Sequence, residues 1–502
     1  MKRKLLFLLF TALVLALSIS CAAVAADRDS VNLALVGVVS SLDPTTTSLT
    51  VDLEVFHQIY EPLMYIDDFS VPHARVATDY TVSDDGLVYT FTIRDDGFFH
   101  NGDPITADDV VFSYERSMES GVLAPYVNMI EKVEKVGDNQ VVMTLKQPYT
   151  PFINNTANVF IFSKRAYEEA GETFGSTVTG AGTGPYKVVN YDGNTRVDLE
   201  AFDKYYRGEA PIKKASYIVM SDNSSKLIAF ETGELDFVAV PTANWDEISS
   251  NDKYTSKLNP TSHISYFLIN PASGVLTNKD LRYAVNYAID REMINLLAYE
   301  GLADEAYYMM RPEYIFGASE DTFHFEYDPD LAKEYLAKAG YPDGVDIGEL
   351  QYTTANYFPK IAQAVQAQLA DVGITCEIVG GQTSDLVVGW RAGQFNMLMS
   401  GFNASLDYDY YTRYTSPAVS TSFLKYDGTD IDGDYILEMY NKGAAELDPE
   451  ARKAIYMELE NYIAGEACYV PLFYKTLPYA WDKDLNVALD LNWYYLFEWS
   501  WN

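Results

Sequence analysis

Five histidines, His57, His73, His100, His263 and His324, are scattered without the close spacing that lets two or three rings share a metal ion. His57 and His100 stand beside apolar residues, where a packed neutral ring is the ordinary reading. The acid-rich stretch Asp427 to Asp434 spaces carboxylates like a calcium loop and has Glu438 at the twelfth position. Its glycines fall second and seventh, however, and the sharp turn of such a loop needs one at the sixth. Paired acids such as Asp84-Asp85 and Asp95-Asp96 read as solvated turns, not as two carboxyls facing each other across a cleft. No Gly-x-Ser-x-Gly nucleophile elbow occurs. The stretch Met399 to Tyr411 holds Gly401, Phe402, Asn403, Ser405, Asp407 and Asp409 close together in sequence. No cofactor and no resident metal are expected.

The glycine-rich run Gly180 to Gly184 invites comparison with a phosphate loop, but no Gly-Lys-Ser/Thr ending follows it. Tyr186 and Val188 continue it as a strand instead, so the run predicts a flexible turn with Pro185 fixing the angle of return. Aromatic residues make up 14% of the chain, with 40 Tyr, which supplies flat faces and hydroxyls for peptides or sugars while most rings serve the core. Trp390, in Gly389-Trp390-Arg391 just ahead of an apolar strand pattern, is a candidate stacking surface, with a strand-edge core Trp as the other reading.

The elements that must position these residues are legible from periodicity. Val31 to Val38 reads as a buried strand stopped by Ser40-Ser41-Leu42-Asp43-Pro44. Leu87, Tyr89, Phe91 and Ile93 alternate as a half-buried strand; Thr106 caps a helix with Val110, Val111, Tyr114 and Met118 on its apolar side. Gly137 to Gln140 joins a hairpin. Farther on, Leu281, Ala284, Val285, Ala288 and Ile289 form a helical stripe. Asp328-Pro329 and Asp448-Pro449 each start a further helix. With apolar runs at Thr375 to Val379 and Phe395 to Met399, residues 271 to 475 predict a largely parallel α/β unit. The closing segment, dense in Trp493, Tyr494, Tyr495, Phe497, Trp499 and Trp501, must fold back onto the first unit to avoid a large exposed apolar patch.

With 502 residues and 48% hydrophobic content the chain suits two or three globular domains. A net charge of −36 disfavours nucleic acid and anionic lipid as partners. Lys2, Arg3 and Lys4, the apolar run Leu5 to Leu17 and the small residues after it have the order of a secretory leader. Two processing sites compete, Ala23-Val24-Ala25 for soluble export and Cys21 for lipidation, and the second is preferred. Cys376 and Cys468 are too few for a disulfide scaffold and read as two separate buried thiols, although a single bridge between them stays open.

Three segments together resemble the family 5 extracellular solute-binding proteins, the oligopeptide- and dipeptide-binding receptors of ATP-driven importers. They are Gly182-Thr183-Gly184-Pro185-Tyr186-Lys187-Val188-Val189, LVYTFTIRDDGFFHNGDPITADDVVFS from Leu87 to Ser113, and YDPDLAKEYLAKAGYPDG from Tyr327 to Gly344, in a resemblance that runs from about Leu42 to Trp481. It implies an α/β, two-lobed, type II periplasmic-binding-protein-like fold with an inserted α/β subdomain in the first lobe. The leader would occupy 1–21, the first lobe 27–62, 179–267 and 475–502, the insertion 63–178, and the second lobe 268–474. The chain would cross between lobes near Phe267 to Asn270 and return near Pro471 to Tyr474, making a hinge.

The resemblance also implies a binding cleft. The loop at Ser40 and Ser41 would open onto it, with Tyr266 at the crossing. In peptide-binding relatives an Asp near the Met399 to Tyr411 stretch pairs with the ligand's amino terminus. Here Phe402 stands where those relatives have Trp and Ser405 where they have the Asp, so Asp407 or Asp409 would have to substitute. Dipeptide receptors also place an Arg on the ligand carboxylate in the segment matching Tyr352 to Tyr357. This chain has Thr353, Thr354 and Asn356 there and no Arg or Lys. A strict dipeptide ligand is therefore disfavoured, because an unpaired buried carboxylate costs several kcal/mol. The implied function is capture of oligopeptides by hinge closure of a monomer that docks on the permease subunits of an ABC importer. The alternatives are an oligosaccharide or a metal chelate on the same fold, and, less favoured, an extracellular glycan hydrolase.

Overall fold

Strand register carries one continuous sheet through both lobes. In the structure, a computed structural model, residues 28–312, 321–354, 357–403 and 423–502 are described. Among them one 11-stranded sheet runs through both lobes. Its first part orders Tyr186–Asp192, Arg196–Ala201, Lys214–Val219, Ser30–Leu35 and Phe237–Ala239. The two long antiparallel strands Tyr469–Asp482 and Tyr254–Ile269 follow, then Met397–Asn403, Val345–Thr353 and Ile374–Gly381, while the short Asp304–Glu305 pairs with Tyr469–Asp482 off this path. Each of the two long strands starts in one lobe and ends in the other.

Each part of the sheet is covered by its own apolar cluster. In the first lobe Leu33, Leu35, Phe56, Tyr186, Tyr217 and Phe237 pack with Tyr494, Leu496 and Trp499, so the aromatic C-terminal segment closes onto that lobe. Trp501 is fastened by its indole N–H to the Ser30 carbonyl at 2.9 Å. In the second lobe the expected stripe Leu281, Ala284, Val285, Ala288 and Ile289 is buried to 1% exposure or less against Phe267, Ile269 and Met399. Its lower face carries a second cluster around Tyr266, Leu398, Tyr456 and Leu459. A separate four-stranded antiparallel sheet, ordered Ala77–Val82, Val88–Ile93, Gln140–Leu145 and Ile130–Val136, lies within residues 63 to 178 with its own core.

Local signals set most helix ends. Thr106 and Asp109 form a complete capping box on Ala107–Glu119, Asp328 caps Pro329–Lys338, and Asp448 caps Pro449–Gly465. On Ala107–Glu119, Met118 turns out exposed and Ser113 and Ser117 take the buried positions, their hydroxyls returned to the carbonyls four residues earlier. The first strand stops at Leu35, two residues ahead of Gly37, and leaves Val36 and Val38 exposed on the loop beyond it. Gly182 departs from the expected flexible turn for a steric reason: a Cβ there would lie 2.2 Å from the Ile59 carbonyl oxygen, so glycine permits a close backbone crossing.

Candidate functional site

The strand directions define a groove without reference to any ligand. In the first lobe Ser30–Leu35, Lys214–Val219 and Phe237–Ala239 are parallel, and the last is held by the Val240 N–H on the Pro478 carbonyl at 2.8 Å. In the second lobe Val345–Thr353, Ile374–Gly381 and Met397–Asn403 are parallel, and the last ends with the backbone of Asn403 opposite His263. Both sets point their carboxyl ends at the same stretch of the two long strands, between Tyr474 and Pro478. Open α/β sheets bind ligands outside those ends. Here two such edges face one another across a shared floor.

The floor is irregular by construction. Pro260 pairs with Thr476 and Ile264 with Tyr474, so Thr261, Ser262 and His263 stand opposite the single residue Lys475, two more than a regular ladder holds. Their backbone is nevertheless fixed. Thr261 Oγ1 donates to the Lys475 carbonyl at 2.6 Å and accepts the His263 N–H at 3.2 Å. Asn492 Oδ1 accepts both the N–H and the hydroxyl of Ser262, at 3.2 and 2.7 Å. Arg311 donates to the Thr261 carbonyl at 3.0 Å and is neutralised by Asp304 at 2.9 Å. The crossing expected near Phe267 to Asn270 lies on this same strand, a few residues beyond the bulge.

Gly401 lies directly under His263: a Cβ at Gly401 would sit 2.7 Å from His263 Cε1. Burial, with the nearby Lys475 charge adding to it, lowers the His263 pKa to about 4, so the ring is neutral near pH 7. Burial likewise holds the Lys475 ammonium below the usual lysine value. Neither residue belonged to the expected binding set. The available signal was a lone Lys inside an otherwise apolar strand, Tyr469 to Trp481.

The expected site residues divide into three groups. Ser40, Ser41, Thr353, Thr354 and Gly401 sit at the two strand edges. Ser40 gives its N–H and hydroxyl to the buried Asp52, both at 2.7 Å, and Ser41 Oγ accepts the Asp43 N–H at 3.0 Å. Thr354 donates its N–H to the Gly381 carbonyl at 2.9 Å. Tyr266, Phe402 and Trp390 lie in the second-lobe core instead, away from the groove surface. Tyr266 and Phe402 meet edge to face at 5.5 Å. Trp390 is on the helix Thr383–Arg391, where its indole N–H reaches Gln351 Oε1 at 2.8 Å; a helix turns this ring inward where a strand edge would have exposed it. Asn356, Ser405, Asp407, Asp409 and Cys21, and the side chain of Asn403, lie outside the described residues.

A cavity of about 160 Å³ is bounded by His57, Tyr65, Asp68, Asp490, Asn492 and Trp493. His57 packs at 4.5 Å from Trp493 and 5.3 Å from Phe160, and burial drops its pKa to about 3. It is a packed neutral histidine, as its neighbours in sequence suggest. His100 is another, with Nε2 3.0 Å from the Gly184 carbonyl. Among the described residues no group of three or more His, Cys, Asp or Glu could hold a metal ion. Within the acid-rich stretch Asp432 serves as the N-cap of Gly433–Ala445. Cys376 and Cys468 are both free and belong to different apolar clusters, and burial pushes their thiols up to about 11 and about 12. No helix among the described residues is long and apolar enough to cross a membrane.

Comparison with known proteins extends this geometry. The family described as bacterial extracellular solute-binding proteins, family 5 Middle, matches residues 71–422. The glutathione-binding protein GsiB of Salmonella paratyphi A is 28% identical over 466 residues, which is 89% of this chain and 89% of that one. The ABC transporter substrate-binding protein CtaP from Listeria monocytogenes superposes with a TM-score of 0.82 at 23% identity, covering 95% of this chain and 99% of that one. NikA from Brucella suis in complex with Fe(III)-EDTA gives a TM-score of 0.84 at 20% identity over 94% and 100% of the two chains. These structural likenesses share the two-lobed fold.

Proposed function

The chain belongs to the bacterial extracellular solute-binding proteins, family 5, and we propose that it captures oligopeptides in the groove between its lobes and delivers them unchanged to the permease subunits of an ABC importer. The observation that carries this reading is the convergence of two sets of strand carboxyl ends on the bulged crossing strands. Such a floor lets the lobes close on a solute, and contacts made only when closed supply the free energy that shifts the population. Peptide is favoured as the solute class because the relative that aligns over most of both chains binds glutathione, itself a short peptide. The likeness to the chelate-bound NikA is one of fold and adds no argument for a chelate. Val36 and Val38, exposed beside the groove, offer apolar contact for side chains.

Export, followed by tethering through a lipidated Cys21 or by release after its removal, is part of the same reading. Mass spectrometry of the mature N-terminus distinguishes the two. The protein acts as a monomer, since one chain supplies both lobes. Asp407 is assigned to the ligand's amino group, with Asp409 as its neighbour in the same segment. The test is native mass spectrometry of protein purified without denaturation, followed by calorimetry with the peptide so identified. Peptide in the groove is expected; a sugar or metal chelate there would overturn the assignment. Asp407→Ala is expected to weaken peptide binding at least tenfold, about 1.4 kcal/mol, and unchanged affinity would remove that residue from the site.

A further inference from the structure

We propose that Lys475 and His263, on the floor of the interlobe groove, form a binding subsite for a carboxylate of the captured peptide. The inference rests on the reading of the groove as the peptide site and specifies the chemistry of one end of it. Lys475 is half-buried, yet its ammonium has no ion-pair or hydrogen-bond partner among the described residues. That is unusual in a chain with 72 acidic and 36 basic side chains, where a carboxylate partner is easily supplied. The other cations around the floor are already satisfied: Arg311 by Asp304 and the Thr261 carbonyl, Arg291 by the carbonyls of Ala306 and Pro471. Holding an ammonium partly out of water without a counter-charge costs stability unless something arrives to pair with it.

His263 adds a second orphan in the same bulge. Its Nδ1 is buried and has no hydrogen-bond partner among the described residues. Near pH 7 the ring carries one N–H. A carboxylate has two oxygens, and one cation with one neutral donor satisfies it without adding a second buried charge. The backbone that presents the two side chains is clamped by Thr261 and Asn492, so the donors are held in place before the ligand arrives. Gly401 leaves the space that the ring needs, since any side chain there would strike it. The Arg missing from the Tyr352 to Tyr357 segment thus has a counterpart on a different element.

The carboxylate can be the peptide's C-terminus or an acidic side chain, and three pools of short peptides separate these sources. The first has free C-termini and no Asp or Glu; the second has amidated C-termini and one Asp or Glu; the third has amidated C-termini and no acid. Retention by the full-length protein is read by mass spectrometry, with dissociation constants by calorimetry for the retained species. The first or the second pool is expected to bind at least tenfold tighter than the third, about 1.4 kcal/mol. Lys475→Met is expected to abolish that preference, and Lys475→Arg to keep most of it. Because the lysine is unpaired, Lys475→Met should leave the ligand-free protein as thermally stable as the native one or more so, which a purely structural lysine would not do. Equal retention of the third pool, or an unchanged preference in Lys475→Met, would overturn the subsite alone. Failure of all three pools to bind would overturn the peptide reading and the subsite with it.

Discussion

Glu54, on the helix Thr50–Ile59 under the first lobe, shows how burial sets the behaviour of one carboxyl. Its pKa rises from 4.5 to about 7, chiefly through desolvation and against the hydrogen bond from Tyr494 at 3.4 Å and the attraction of Lys226. The folded state therefore holds this proton more tightly than the unfolded chain does. The stability this group contributes is fully present below about pH 4.5 and is lost as pH rises through about 7. Glu54→Gln is expected to raise the melting temperature at mildly alkaline pH, by a free energy on the order of 2 kcal/mol, and to leave it nearly unchanged at acid pH. A variant whose gain is equal at both pH values would contradict the account. His263 and Lys475 belong to the same scale: their environment arises from a register shift between residues 210 positions or more apart in sequence, and no local pattern announces it.

At the scale of elements, helices and turns were readable because their determinants are local. The capping box at Thr106 joins residues three apart, and Asp328-Pro329 and Asp448-Pro449 each carry their start signal in two positions. Thr106→Ala is expected to lower stability by about 1 kcal/mol in thermal or denaturant unfolding while leaving peptide affinity intact, because the helix belongs to the inserted sheet and not to the groove. A loss of affinity without a loss of stability would contradict that placement. Strand crossings and faces were harder. Trp390 reads in isolation either as a stacking surface or as a core Trp at a strand edge; it lies in the core, on the helix Thr383–Arg391 and not a strand, against Gln351 and Phe423. The glycine-rich run around Gly182 reads as flexibility, whereas the requirement is a close approach to the Ile59 carbonyl, a contact across 123 residues that composition cannot show.

For the whole molecule, three well-separated motifs sufficed to indicate the family and a two-lobed fold, because that architecture depends on many elements occurring in order. The ligand-contacting chemistry was less legible. It depends on how loops from distant segments meet at a floor, and the expected anchors Phe402 and Tyr266 are drawn into the second-lobe core by the alternation of their strands. The excess of acidic residues, with a net charge of −36, favours solubility and disfavours nucleic acid as a partner. On the function proposed, two lobes joined by two crossing strands close over a solute and release it unaltered. Small-angle X-ray scattering of the purified protein, freed of bound solute and then saturated with the peptide identified by mass spectrometry, tests it most directly. The radius of gyration is expected to fall on saturation and to recover when the peptide is removed intact; superimposable curves with peptide demonstrably bound would contradict the account.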